Sequence, residues 1–182
     1  AAAAALGDRK GAVVALDAKT GAILALYSSP SFDPNALASR DAGEVQDAYA
    51  TLDADPKNPM LNRTISERYA PGSTFKVLTA IALIENGIAN PDTRMDSPVS
   101  TTLPGTNTEV SNIESSTCGD GKPTLTEAFA RSCNTTFVLA SEKLTTQQLT
   151  DVTKRFGFGD EQEIPLTVIP SVFPSDADSA QL

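Results

Sequence analysis

The apolar positions of the chain fall into blocks with different periods. Residues 11–17 (GAVVALD) and 22–28 (AILALYS) are short, nearly continuous apolar runs, the pattern of strands. Between them Ala18-Lys19-Thr20-Gly21 makes a turn, with glycine available for positive φ. Such continuous hydrophobicity predicts burial of this hairpin on both faces, inside a sheet covered by helices. Ser29-Pro30-Ser31-Phe32-Asp33-Pro34-Asn35 is punctuated as a loop, and the mixed residues 36–60 predict short helix and loop.

A breaker pair, Pro71-Gly72, then precedes Ser73 and a stretch of helix length that is apolar nearly all round, with Gly87 as its C-terminal stop. That composition predicts a buried helix. Residues 90–122 are rich in Ser and Thr, marked by Gly and Pro, and read as turns. Thr124-Leu125-Thr126-Glu127 fits a capping box opening a short helix into Arg131. Another helical stretch follows Asn134, and residues 147–156 have helical periodicity ended by Gly157. Beyond Phe158-Gly159 the chain is loop-like. Strands first and helices afterwards indicate an α+β class. Residues 1–10 carry no structural signal and are taken as linker or unassigned chain.

Composition narrows the chemistry. The 182 residues suit one domain or a large piece of one, and the net charge of −9 repels phosphate backbones, so no nucleic-acid partner is expected. Histidine is absent, which excludes Ser-His-Asp and Cys-His catalysis and H-E-x-x-H zinc sites; the two cysteines alone make no zinc site, and neither metal nor cofactor is implied. A base working near neutral pH must then be a carboxylate, a lysine or a tyrosine with a shifted pKa. The sequence holds no apolar run of about 18–20 residues that reads as a membrane span, and no signal peptide.

Ser73 and Lys76 stand three residues apart, on one face of a helix start. There the free N–H groups and the positive dipole end favour a serine alkoxide, and the Ser73 N–H can donate to an oxyanion. Burial and the nearby helix terminus lower the pKa of Lys76, so its amine can take the Ser73 proton. Taken alone, the spacing also fits a helix-start serine beside a surface lysine. Ser132-Cys133-Asn134 lies between two helical stretches. Ser132 can relay a proton between Lys76 and a leaving group, and Asn134 can hold a substrate carbonyl and orient Lys76. The alternative is that Ser132 and Asn134 cap a helix start.

S-x-x-K followed by S-x-N resembles the penicillin-recognising serine enzymes. Residues 17–25 (DAKTGAILA) are similar to the first hairpin of that family, and residues 29–35 (SPSFDPN) to the segment after it. Asn62-Arg63, Pro71-Gly-Ser-Thr-Phe-Lys76 and Phe156-Gly-Phe-Gly159 extend the resemblance, which is closest to class B penicillin-binding proteins. It implies a penicillin-recognising transpeptidase fold, an antiparallel sheet with helices on both faces. It also implies a D,D-transpeptidase: Ser73 attacks the D-Ala-D-Ala end of a peptidoglycan stem peptide, and an amine of a neighbouring stem resolves the ester. The implied partners are stem peptides, β-lactam antibiotics and the proteins of cell-wall synthesis and cell division. The implied location is the extracytoplasmic face of the membrane, with an N-terminal anchor outside this chain.

The family's third motif, K-T-G or K-S-G, is expected on a strand lining the cleft. Lys19-Thr20-Gly21 sits in the first hairpin turn and is read as coincidence. The whole of residues 1–182 is therefore expected to be the N-terminal portion of a transpeptidase domain, lacking the C-terminal strands and incompetent alone. Work outside the cytoplasm favours a disulfide between Cys118 and Cys133 over two free thiols. The competing functions are a serine β-lactamase or D,D-carboxypeptidase, and a non-catalytic scaffold of the division machinery. No E-x-x-L-N stretch follows Ser132, which counts against a class A β-lactamase.

Overall fold

The computed structural model describes residues 1–174. The chain divides into two compact units, one of Ala1–Arg68 with Glu161–Ile169 and one centred on Tyr69–Asp160.

In the first unit, α1 (Ala2–Leu6) precedes an antiparallel hairpin of β1 (Gly11–Leu16) and β2 (Ile23–Ser29). The sequence suggested no element at the alanine run, yet alanine has the highest helix propensity and a single turn forms there. At the hairpin turn the Asp17 carboxylate accepts from Lys19 N (3.0 Å), Thr20 N (2.8 Å) and Thr20 Oγ1 (2.8 Å). These bonds hold its pKa below the ordinary carboxylate value, those from Thr20 most strongly. Lys19-Thr20-Gly21 is thus the body of a turn, with Gly21 at φ 73°. The expectation of burial on both faces fails. Leu16 and Leu24 are 56% and 68% exposed, because β1 and β2 pair only with each other among the described residues and α1 and α3 (Arg63–Ser66) are the helices that lie against them.

Residues 36–60 hold more helix than their pattern announced: α2 (Ala42–Asp53) starts where Asp41 accepts from Gly43 N at 2.7 Å and Glu44 N at 3.3 Å. Just beyond it lies the buried charge of this unit. Arg63, 1% exposed, donates from Nη1 to Asn58 O (3.1 Å) and Leu61 O (3.3 Å) and from Nη2 to Lys57 O, while Nε faces Glu67 at 3.7 Å. Ser28 Oγ donates to Leu61 O and accepts from Arg63 N, both at 3.0 Å, which ties β2 to this loop.

The second unit holds every residue of the buried apolar cluster, from Leu78, Ala82 and Leu83 through Phe137 and Ala140 to Leu149 and Val152. Its helices are α4 (Lys76–Glu85), α5 (Leu125–Ala130), α6 (Asn134–Ser141) and α7 (Thr146–Arg155). The apolar α4 is less buried than predicted, with Val77 and Ile84 standing on the surface. The stretch read as turns contains a small hairpin, β3 (Ser100–Thr102) with β4 (Glu109–Ser111). Cys118 and Cys133, both in the buried cluster, are joined by a disulfide with Cα atoms 5.9 Å apart; a loop of this size is worth about 3 kcal/mol in the chain-entropy account.

Capping fixes the helix ends. The Thr124–Glu127 capping box opens α5, and Thr145 with Gln148 makes a second at α7. α4 closes with Ile88 N to Leu83 O (3.0 Å) and Gly87 N to Ile84 O (3.1 Å), and α7 closes the same way around Gly157. The end of α5 repeats this motif with Cys133 N to Ala128 O at 2.9 Å and Ser132 N to Phe129 O at 3.1 Å. Here the left-handed position is filled by Ser132, at φ 56°, where glycine is the usual occupant.

The Arg63 cage generates a prediction. Lysine has one ammonium where arginine has a fork, so Arg63→Lys leaves carbonyls of the 57–61 loop unpaired and costs about 2–4 kcal/mol, read as a lowered urea midpoint. An unchanged midpoint means the cage contributes nothing.

Candidate active site

The site grows out of two helix junctions in the second unit. The first is the entry to α4. Residues Gly72–Phe75 form a 3-10 turn, and Lys76 N donates to Ser73 O as that turn passes into the helix. In a 3-10 turn the side chains at i and i+3 eclipse, which sets Ser73 above Lys76 more directly than an α-helix does. Gly72 sits at φ 55°, a conformation that costs glycine little and lets the chain turn sharply before the serine. Ser73 is exposed, and its N–H lies in the first turn, where no intrahelical acceptor exists.

The second junction is the α5–α6 turn, which carries Ser132 and Asn134. Lys76 reaches across to it. Its Nζ donates to Ser132 O at 2.7 Å, Ser132 Oγ at 3.1 Å and Asn134 Oδ1 at 2.6 Å. The Phe137 ring, one turn along α6, lies 5.6 Å from Nζ. No carboxylate among the described residues pairs with this amine, and burial pushes its pKa below the ordinary lysine value of 10.5.

These bonds tell the partners apart. An ammonium has three donors, and all three are used. A neutral amine keeps two donors and gains a lone pair. The Ser132 carbonyl and the Asn134 amide oxygen can only accept, so they hold the two N–H groups in either state. The Ser132 hydroxyl can accept from the ammonium and, after rotation, donate to the amine. It follows the charge of Lys76 by rotation of a single O–H, with no backbone atom moved.

The structure therefore brings Lys76, Ser132 and Asn134 together by direct bonds. Ser73 is joined to Lys76 through the backbone turn, and among the described residues no side-chain bond links the two. The capping alternative for Ser132 and Asn134 is overturned. Ser132 ends α5 rather than starting α6, and the α6 cap position is Cys133, which makes no side-chain cap. The Asn134 amide bonds Lys76 through Oδ1 and Ser111 O through one N–H of Nδ2, at 2.9 Å.

A cavity of about 250 Å³ opens beside the amine, walled by Gly72, Phe75, Asn134, Phe137 and Phe173 along with Lys76 itself. Phe173 stacks on Phe75 with centroids 5.8 Å apart, and Phe158 meets Phe75 edge-on at 6.2 Å. The Phe-Gly-Phe-Gly segment thus packs one residue away from Lys76. Sequence reasoning missed Ser111, Phe137 and Phe173. Ser111 contributes a backbone oxygen and the two rings were indistinguishable from core, so none carried a local signal.

A family profile described as "Penicillin binding protein transpeptidase domain" matches residues 11–168. The chain is 44% identical over 179 residues to the peptidoglycan D,D-transpeptidase PbpA of Mycolicibacterium smegmatis, covering 97% of this chain and 36% of that protein. To the peptidoglycan D,D-transpeptidase MrdA of Acinetobacter baumannii it is 33% identical over 161 residues, 88% of this chain and 23% of that one. The structure of penicillin-binding protein A from M. tuberculosis in an imipenem acyl-enzyme complex matches with a TM-score of 0.85 and 40% identity, covering 94% of this chain and 40% of that one. The chain thus spans 36% of the mycobacterial relative's length, and the match takes in the hairpin, the α4 junction and the α5–α6 turn alike. It belongs to the transpeptidase-domain family of the class B penicillin-binding proteins.

Proposed function

We propose that the protein is a peptidoglycan D,D-transpeptidase that acylates Ser73. The observation that carries this reading is the Lys76 amine, depressed in pKa, held by Ser132 and Asn134 one 3-10 turn from the serine. The relatives' names and the imipenem acyl-enzyme of a similar protein support it.

The reaction follows from the site. Neutral Lys76 turns its lone pair from the Ser132 hydroxyl to Ser73 and takes the Ser73 proton as Oγ bonds to the carbonyl carbon of the penultimate D-alanine. The charge that develops on the carbonyl oxygen is met by the Ser73 N–H. The intermediate collapses by breaking the C–N bond to the terminal D-alanine, whose nitrogen receives a proton from Lys76 through the Ser132 hydroxyl. An ester on Ser73 remains. An amine of a second stem peptide attacks it, loses a proton by the same route and leaves with the acyl group, restoring the Ser73 hydroxyl. In a β-lactam the broken C–N bond is inside the ring, so the leaving amine stays attached and blocks the acceptor. Asn134 holds Lys76 and has one amide N–H left for a substrate carbonyl. The second oxyanion donor and the groups that bind the terminal carboxylate are expected on a K-T-G or K-S-G strand outside the described residues, so every test uses the full-length protein.

The bridged cysteines fit an oxidising compartment, and we place the enzyme on the extracytoplasmic face of the membrane, with cell-wall synthesis and division proteins as partners. No helix among the described residues is long and apolar enough to cross a membrane.

Fluorescent penicillin labelling is the direct test. Wild-type protein should form a lasting adduct, Ser73→Ala should form none, and Lys76→Arg, which cannot shed its charge, should lose at least a thousandfold in acylation rate. Rapid turnover of the adduct would make it a β-lactamase, and an unlabelled wild type would make it a scaffold.

The pH dependence has a fixed sign. The working form of Lys76 is deprotonated, and burial lowers its pKa, so the acylation rate should climb with pH to a midpoint below 10.5. A midpoint at or above that value would remove Lys76 as the base.

Ser132→Gly separates stability from activity. Glycine relieves the left-handed backbone, offset in part by its larger unfolded-state entropy, so melting should show a change between zero and about 1 kcal/mol of stabilisation. Acylation should fall about 100-fold with the relay hydroxyl gone.

A further inference from the structure

Asn134 faces Lys76 with its oxygen, and that orientation has to be imposed. Turned over, the amide would set its oxygen against the Ser111 carbonyl, acceptor against acceptor, in either charge state of the lysine, and its NH2 against the donors of the ammonium. The bond from Asn134 Nδ2 to Ser111 O, 2.9 Å, selects the right face. The alignment of the base therefore depends on where the end of β4 lies.

The next residue fixes that end. Asn112 is 8% exposed, and its side chain is bonded on every side: Nδ2 donates to Pro98 O (2.9 Å), Ser116 O (3.1 Å) and, at longer range, Ser97 Oγ (3.4 Å). Its Oδ1 accepts from Thr135 N at 3.1 Å. Thr135 is the residue after Asn134, and its hydroxyl donates to Pro98 O at 2.8 Å. Two consecutive residues at the end of β4 thus grip two consecutive residues at the start of α6, Ser111 on the Asn134 side chain and Asn112 on the Thr135 backbone. Core packing and the Cys133 disulfide already hold the body of α6, and these two bonds at adjacent positions set its first turn against the segment 111–112, and so the point from which Asn134 Oδ1 reaches Lys76. The first turn of α6, which has no side-chain cap of its own, receives one from a residue 23 positions earlier.

We propose that Asn112 is a positioning residue of the acylation site, acting through Ser111 O and Asn134 to keep Lys76 aligned as the base. This rests on the reading of Lys76 as base given above, and the experiment separates the two.

In the full-length protein, Asn112→Ala, Asn134→Ala and the double variant are compared for acylation by a fluorescent penicillin and for the Lys76 titration, followed by NMR of 13C-labelled lysine. Asn112→Ala should slow acylation 10- to 100-fold and should move the Lys76 midpoint. In the Asn134→Ala background the same change should have no further effect on rate or midpoint. Additive losses, or an unmoved Lys76 midpoint, would overturn the proposal and leave Asn112 a packing residue. If Asn112→Ala does not fold, Asn112→Asp, which keeps the acceptor for Thr135 N but loses the donors, replaces it in the same cycle. If the wild type does not acylate at all, the transpeptidase reading fails while the Lys76 titrations still decide this one: a shift that vanishes without Asn134 supports it, and no shift overturns it.

Discussion

A lysine amine held across 56 and 58 residues of chain, against a serine and an asparagine, is the constraint around which the second unit is organised. Lys76 opens an otherwise apolar helix, and burial penalises its charge. Three short bonds and an aromatic face return part of that cost. A salt bridge would return more, but it would also raise the pKa and spoil the base. Satisfying the amine entirely with neutral oxygens keeps it ordered and leaves it free to lose a proton.

That choice has consequences for the backbone. To bring both the carbonyl and the hydroxyl of Ser132 to one nitrogen, the chain must reverse sharply between α5 and α6. The reversal is the same C-terminal motif that ends α4 and α7, where glycine fills the left-handed position. At α5 the position holds a serine. The local preference for glycine gives way because glycine has no hydroxyl to offer. Strain of this kind, kept in place by the Cys118–Cys133 link and by the α6 packing, is where local rules and site chemistry part company.

Much of this was legible in the chain. The capping box at Thr124, the stop at Gly87, the terminator at Gly157 and the hairpin turn each had a local chemical signature, and each formed. The S-x-x-K and S-x-N spacings marked the two junctions that meet at the amine. What could not be read was of two kinds. The exposure of Leu16 and Leu24 depends on which elements lie against the hairpin, and a run of apolar residues states a need for cover without naming what supplies it. The Ser111 contact uses a main-chain oxygen, which every residue possesses and no sequence distinguishes. Asn112 sat unremarked among Ser and Thr in a stretch read as turns, though its value lies in bonds to residues up to 23 positions away.

The apolar cluster lies wholly within one of the two units. The other is secured by a caged guanidinium, a strand pair and capped helices, all of which rely on polar groups that water can replace. The free energy of opening is therefore unevenly spread. α2 has no buried residue, so its backbone amides are expected to exchange sooner than those of α4 to α7, and residues 36–60 are where a protease is expected to cut first.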